Sequence, residues 1–325
     1  MPGSVSILIP TYQPNTAFLR EAVQSVLAQT HTNWQLLIHD DASDVDVMDG
    51  IAPFLLDPRI RAERNIIRLG IGGNWNACLQ QASGDYVAFL FQDDVWHPEY
   101  LKEAVAALER EPRVGLVASF HAYQTDGSAE AATFLKTAGF DAVQETRRHA
   151  MQPGQCDGRV FLKMWTGRGL HPNLIGEPSF VVLRKSVVDK VGFFREDMPQ
   201  GLDLEYWTRA LLASDLFTIT RESGFFRVHP SAASMQNDQT GAGLTDRLRC
   251  IESLMSASTT PRDLKDIARQ TFSFQLSMMF RKARKRREEG KSMGKGNARS
   301  VLPILLHHPL LTLQSLVMSG QKNQE

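Results

Sequence analysis

The stretch "YVAFLFQDD" constrains this chain most: an apolar run from Tyr86 to Phe91 delivers two adjacent carboxylates, Asp93 and Asp94, at its carboxyl end. An apolar run this short, bounded by turn signals, reads as a strand buried on both faces, and such strands belong to parallel sheets covered by helices. Ligands of open α/β sheets collect in the crevice outside the carboxyl ends of the strands, so the paired acids mark a candidate site. Asp94 taken alone also suits the cap of a helix beginning near Pro98.

The flanking segments repeat the same rhythm. "VSILIP" reads as a first strand closed by Pro10, and Leu19, Val23, Val26 and Leu27 form one apolar stripe of a helix over Phe18 to Leu27. "WQLLIHD" is a second strand ending in acid, and "GGNWNACLQQAS" a helix closed by Gly84 before the strand at Tyr86. The β-α-β-α-β order predicts a Rossmann-like α/β fold with a mostly parallel, doubly wound central sheet. A helix over Glu99 to Glu109 leads into "VGLVASFHAY", and the polar, weakly periodic stretch Gln124 to Gly158 is expected to be a long excursion or lid near the site. "SFVVLRKSVVDKVGFF" and "LDLEYWTRALLAS" supply a strand and two helices, and "FFRVHPSAAS" a late strand with a polar loop. From about Leu244 the chain becomes helical and basic.

Composition narrows the functional classes. With 325 residues, 42% of them hydrophobic, the chain can bury one large core and carry an appendage. Lys plus Arg, 36, balances Asp plus Glu, 36, which argues against a nucleic-acid coat. Cys78, Cys156 and Cys250 lie far apart, so neither a disulfide framework nor a cysteine zinc site is indicated. "MPGSVSILIPTY" lacks the basic and apolar regions of a secretory leader, and no run of 18 apolar residues occurs, so a cytoplasmic location is expected.

"HDDASD" brings Asp40, Asp41 and Asp44 to the same sheet edge as Asp93 and Asp94. Clustered carboxylates repel one another unless a cation or hydrogen-bond donors compensate, which makes Mg²⁺ or Mn²⁺, bridging to phosphates, the natural occupant. A carboxylate there could instead accept from a base or ribose. "PTYQPNTAF" after the first strand has no glycine fingerprint, which argues against a dinucleotide-binding dehydrogenase. "GIGGNW" follows no expected strand and reads as a turn and helix start.

Six segments in order, "VSILIPTY", "DDASD", "GDYVAFL" with "QDD", "VVLRKSVVDKVGFF", "DLEYWTRAL" and "FRVHPSAAS", resemble the family 2 inverting glycosyltransferases over residues 4–235. The resemblance implies a GT-A catalytic domain over 1–235 with a basic helical extension over 236–325, a nucleotide-diphosphate sugar donor, Mn²⁺ or Mg²⁺, and a glycan or lipid-linked acceptor in cell-surface polysaccharide or glycolipid assembly. Carried onto this sequence, it assigns Thr11, Tyr12, Asp40 or Asp41 and Arg68 to the nucleotide sugar, Asp93 to its ribose or the metal, Asp94 to the metal, His229 to the metal or diphosphate, and Asp203 to the catalytic base, with Glu205 in reserve. Two positions depart from the family pattern: Phe91 stands where many members have Asp, and Leu202 replaces the Glu of a Glu-Asp pair. Those departures keep a second reading open, a nucleotide-sugar-binding protein without catalysis. Asp203 also suits a helix N-cap, and Trp96 and His97 are expected on the acceptor side.

The tail has three readings, one of them a nucleic-acid patch, although no aromatic interleaving or binding motif accompanies it. "RKARKRR", Arg281 to Arg287, has six cationic residues of seven, and Leu302, Leu306, Leu310, Leu313 and Val317 share one helical face. A basic cluster beside an amphipathic stretch suits the anionic inner surface of a membrane, giving a peripheral association without nucleic acid. The third reading packs this segment on the protein.

Overall fold

A computed structural model describes residues 2–198, 200–231, 242–288 and 302–320. The strands are β1 (Val5–Thr11), β2 (Trp34–Asp40), β3 (Ile60–Arg64), β4 (Tyr86–Phe89), β5 (Val95–Trp96), β6 (Val114–Thr125), β7 (Gly154–Cys156), β8 (Val181–Arg184) and β9 (Asp215–Val228). The helices are α1 (Thr16–Leu27), α2 (Val47–Ile51), α3 (Gly70–Gln80), α4 (Tyr100–Arg110), α5 (Ala129–Thr137), α6 (Phe140–Ala150), α7 (Gly158–Gly167), α8 (Lys185–Val191), α9 (Leu202–Ala213), α10 (Ala242–Ser256), α11 (Arg262–Glu288) and α12 (Pro309–Gly320).

The strands form one sheet ordered β3-β2-β1-β4-β8-β6-β9-β5, with β7 added on β9. β1, β2, β3 and β4 are mutually parallel; β8 enters antiparallel between β4 and β6, and β6 and β9 then run parallel again. All seven residues of β1 are buried, as a central strand requires. Ile7 and Ile9 point into one core with Val23 and Leu101, while Leu8 joins Val87, Phe89, Trp165 and Trp207 in the other, so both faces are covered.

Register positions the site. Thr11 pairs with Asp40, and Asp40 with Arg64, so β1, β2 and β3 end level with one another. β9 is long and irregular, with register shifts against β6 near Ser119 and Phe120, and it carries its end back toward the loop after β4. Asn15 caps α1, its Oδ1 accepting from the backbone N–H groups of Ala17 and Phe18, which holds the β1–α1 turn at the same edge.

Two expectations are revised. β3 carried no strong apolar signal, because as an edge strand it buries little beyond Ile60. The stretch Gln124 to Gly158 is largely helical: it forms α5 and α6, and Arg147 is 1% exposed although its sequence neighbourhood reads as surface. Its guanidinium is satisfied by the carbonyls of Leu174, Ser119 and Ile175 and by Gln144, which offsets the cost of burying a charge. Of the expected C-terminal extension, Leu248, Ile251, Phe272 and Leu276 bury into the core that holds Trp165 and Trp207. The polar loop expected after His229 lies, from residue 232 on, outside the described residues.

Candidate functional site

A cleft of about 770 Å³ opens over the carboxyl ends of β1 and β4, within the range of small-molecule sites. At one end Tyr12 lies under Arg68, whose guanidinium carbon is 3.9 Å from the ring centroid. The Gln92 amide clips this turn in place, accepting from the Tyr12 N–H at 2.9 Å and donating to its carbonyl at 3.2 Å. Gln92 thus fixes the β1 turn against the loop that bears the acids.

The two acids ending β2 have different tasks. Asp40 is fully buried and accepts from Ser43 N–H and Oγ and from Thr11 Oγ1, with Arg64 at 3.6 Å; it knits the strand ends together and does not line the cleft. Thr11 does line it. Asp41 faces the cleft, but its oxygens accept from Asn65 and from the N–H groups of Leu69 and Gly70, at the start of α3. A carboxylate at a helix N-terminus is favourable, and here the protein's own acid fills that position. "GIGGNW" does follow a strand, the missed β3, and its backbone serves Asp41.

Asp93 and Asp94 diverge as well. Asp93 lines the cleft with its side chain 19% exposed, and its Oδ2 lies 2.8 Å from Nε2 of His229. His229 is oriented from its other side by Ser231, 2.9 Å from Nδ1. The Asp94 side chain turns into the core instead: Oδ2 accepts from Ser179 Oγ at 2.5 Å and Oδ1 from the Arg227 N–H at 3.0 Å. Burial, then the charge of Asp93, raises its carboxyl well above the usual range. Asp94, expected as the metal ligand, thus has its oxygens engaged by β9 and by the chain before Phe180, and of the two acids it is Asp93 that lines the cleft. Among the described residues no group of three or more His, Cys, Asp or Glu side chains is arranged to hold a metal. Asp93 and His229 nevertheless offer an oxygen and a nitrogen suited to Mn²⁺, and they leave further positions for phosphate and water.

Across the cleft, Asp203 opens α9. Its Oδ2 accepts from Asn173 Nδ2 at 3.0 Å, and burial followed by the nearby charge of Glu177 pushes its carboxyl up to about 7. Glu205, the reserve base, is 3% exposed and held by Arg209 through both oxygens, a structural ion pair. Trp96 and His97 are also reassigned. Trp96 is buried and donates to the Ser179 carbonyl, and the His97 backbone N–H donates to Ser223; neither side chain lines the cleft.

Sequence reasoning missed Glu177, Asn173, His171 and Arg247, all cleft-lining. They lie on loops and one late helix where no strand or motif marks them, so composition and periodicity carried no signal. Phe91 lines the cleft and packs on Trp75 with ring centroids 4.8 Å apart.

The sequence model of glycosyl transferase family 2 matches residues 6–164. The chain is 27% identical over 264 residues to the uncharacterized protein MT1568 of Mycobacterium tuberculosis, covering 81% of this chain and 79% of that one. It is 35% identical over 104 residues to the UDP-Glc:alpha-D-GlcNAc-diphosphoundecaprenol beta-1,3-glucosyltransferase WfgD of Escherichia coli, a match to 32% of this chain and 40% of that protein. Among solved structures, residues 1–349 of S. aureus TarS in complex with UDP-GlcNAc superpose with a TM-score of 0.59 at 15% identity, over 85% of this chain and 72% of that one. The mannosyltransferase PcManGT of Pyrobaculum calidifontis, in complex with GDP-Man and Mn²⁺, gives 0.59 at 13% identity over 98% and 87%. These likenesses establish the GT-A-like fold.

Proposed function

The chain belongs to the family 2 glycosyltransferases, and on that premise we propose that it transfers a sugar from a nucleoside-diphosphate donor to an acceptor hydroxyl, with inversion at the anomeric carbon. One observation carries the reading: a single cleft has the Asp93–His229 pair on one wall and, on the other, a carboxyl at Asp203 whose proton affinity is raised to near neutrality. A general base works best when its pKa lies near the operating pH.

In this reading Tyr12, Arg68, Thr11 and Asp41 receive the nucleoside, and the diphosphate lies toward Asp93 and His229. Mn²⁺ or Mg²⁺ held by Asp93 and His229 would neutralise charge on the departing diphosphate. Asp203 takes the proton of the acceptor hydroxyl as that oxygen bonds to the anomeric carbon. The bond from that carbon to the diphosphate oxygen breaks, its electron pair leaving with the nucleoside diphosphate. Asn173 holds the Asp203 carboxylate in place for this transfer.

The acceptor reading is a glycan or lipid-linked sugar of polysaccharide assembly, supported by the diphosphoundecaprenol in the name of WfgD. A peripheral membrane position has its own support. Leu302, Leu306, Leu310, Leu313 and Val317 are each more than half exposed, and the basic start of the adjoining cluster lies beside α12, where Arg281 and Arg284 donate to the Met318 and Ser319 carbonyls. Among the described residues no helix is long and apolar enough to cross a membrane.

The decisive experiment screens UDP-, GDP- and dTDP-sugars with Mn²⁺ for turnover, then compares the native chain with Asp203→Asn. Asn keeps the shape of the side chain but cannot take the proton, so donor affinity should hold while single-turnover transfer falls roughly 10²- to 10⁴-fold. Transfer at the native rate would remove Asp203 from this role.

A further inference from the structure

Leu202 is 5% exposed and packs in the core, so α9 brings only Asp203 to the cleft wall as a carboxylate. A second carboxylate reaches the same cleft from another element: Glu177, in the turn before Ser179, follows Gly176, whose carbonyl shares the Asn173 amide with Asp203. Resting on the reading of Asp203 as base, we propose that Glu177 is the second carboxylate of the transfer centre, a positioning residue that supplies negative charge from a different loop and acts through Asp203.

The backbone that presents Glu177 is fixed on three sides. Asn173 donates both to the Asp203 carboxylate at 3.0 Å and to the Gly176 carbonyl at 3.3 Å, and its own Oδ1 accepts from the Gly176 N–H at 3.1 Å. Trp207 of α9 donates to the same Gly176 carbonyl at 3.2 Å. Beneath the turn, Arg147 of α6 donates to the Leu174 and Ile175 carbonyls at 2.9 and 2.8 Å. Gly176 itself sits at φ +97°, and a Cβ there would come within 2.6 Å of the Arg147 guanidinium, so only glycine allows this approach. One asparagine thus spans the base and the turn that carries the second acid.

Two neighbouring carboxylates in one cleft do not both ionise freely, and the pair holds a proton to higher pH than either would alone. The other charged or titratable groups are arranged asymmetrically. Arg147 lies below Glu177 and favours its ionised form, with Tyr123 of β6 and the inward-turned Asp94 also near it. Asp203 instead shares its side of the cleft with His171 and Arg247, and Asp246 and Cys250 sit behind the Gly201 turn. Burial raises both acids, and Glu177 is the neighbouring charge that raises Asp203 further. The cation below Glu177 therefore favours charge on that residue, and its field leaves Asp203 the stronger proton acceptor toward an incoming hydroxyl.

The test is the pH dependence of single-turnover transfer in Glu177→Gln, with Glu177→Asp and Asp203→Asn alongside and nucleoside-diphosphate affinity as the check on folding. Glu177→Gln should keep affinity within about twofold and move the rising limb of the profile to lower pH by on the order of one unit, because the charge that raises Asp203 is gone. Glu177→Asp, which keeps the charge, should leave the midpoint in place. An unmoved midpoint in Glu177→Gln, with Asp203→Asn inactive, overturns the role of Glu177 and leaves Asp203 as base. An active Asp203→Asn beside an inactive Glu177→Gln overturns both, since Glu177 would then be the base itself. If Glu177→Gln loses nucleotide affinity and Glu177→Asp moves the midpoint as well, the residue is structural and the proposal fails.

Discussion

His229 Nε2 lies 2.8 Å from Asp93 Oδ2, a contact between residues 136 positions apart that joins the end of β9 to the loop after β4. It is the contact that divides the adjacent acids: Asp93 is drawn to the cleft, whereas Asp94 is drawn into the core by Ser179 and Arg227.

The two acids should therefore respond differently to substitution. Asp93→Ala is expected to abolish the gain in nucleoside-diphosphate affinity that Mn²⁺ provides, measured by titration with and without the ion. Asp94→Ala should lower stability by about 1–3 kcal/mol in denaturant unfolding, since it leaves a buried hydroxyl and N–H without their acceptor. A full metal-dependent gain in Asp93→Ala would be incompatible with the proposed metal position.

Arg68 stacked on Tyr12 gives one end of the cleft a flat wall suited to a planar group. Arg68→Ala should weaken nucleoside-diphosphate binding roughly 5- to 30-fold, and Arg68→Lys should recover little of it, because an ammonium lacks the planar face. Calorimetry on the two variants gives the comparison; full recovery by lysine would reduce the residue to a point charge.

Asp203 also links the site to stability. Its carboxyl rises from 3.8 to about 7 on folding, so between these values the folded chain holds a proton that the unfolded chain has released. The folded state binds more protons there, and stability falls as pH rises through that window. Asp203→Asn removes the penalty, so its melting temperature should exceed that of the native chain at pH 8 and show no such advantage at pH 4. Equal differences at the two pH values would mean that the carboxyl is not raised in the folded protein.

The exposed leucines of the tail predict partition to lipid. The double variant Leu310→Gln and Leu313→Gln should lower co-sedimentation with anionic vesicles by about tenfold or more, while nucleotide affinity is unchanged. Equal sedimentation of the two proteins would rule out that face as the lipid contact.

The strands of the first half were legible because their burial on both faces leaves an unbroken apolar run, and the acids at their ends were legible because packing does not call for them. β1, β2, β4, α3 and α9 all fall where the pattern of "VSILIP", "WQLLIHD", "YVAFLF", "GGNWNACLQQ" and "LDLEYWTRALLA" puts them. β3 was not, since an edge strand buries too little to leave a pattern, and the helices of Gln124 to Gly158 hid behind a buried arginine that reads as surface.

What the sequence by itself determined is the α/β order and which edge of the sheet gathers the acids. Only the tertiary structure decided which acid of each adjacent pair faces the cleft: Asp41 rather than Asp40, and Asp93 rather than Asp94. The reason is physical. Strand and helix periodicity fix the direction of a Cβ, but the choice between two acids at a chain end is made by partners far away in sequence, such as Ser179 and Arg227 for Asp94, and none of these is encoded in the local pattern.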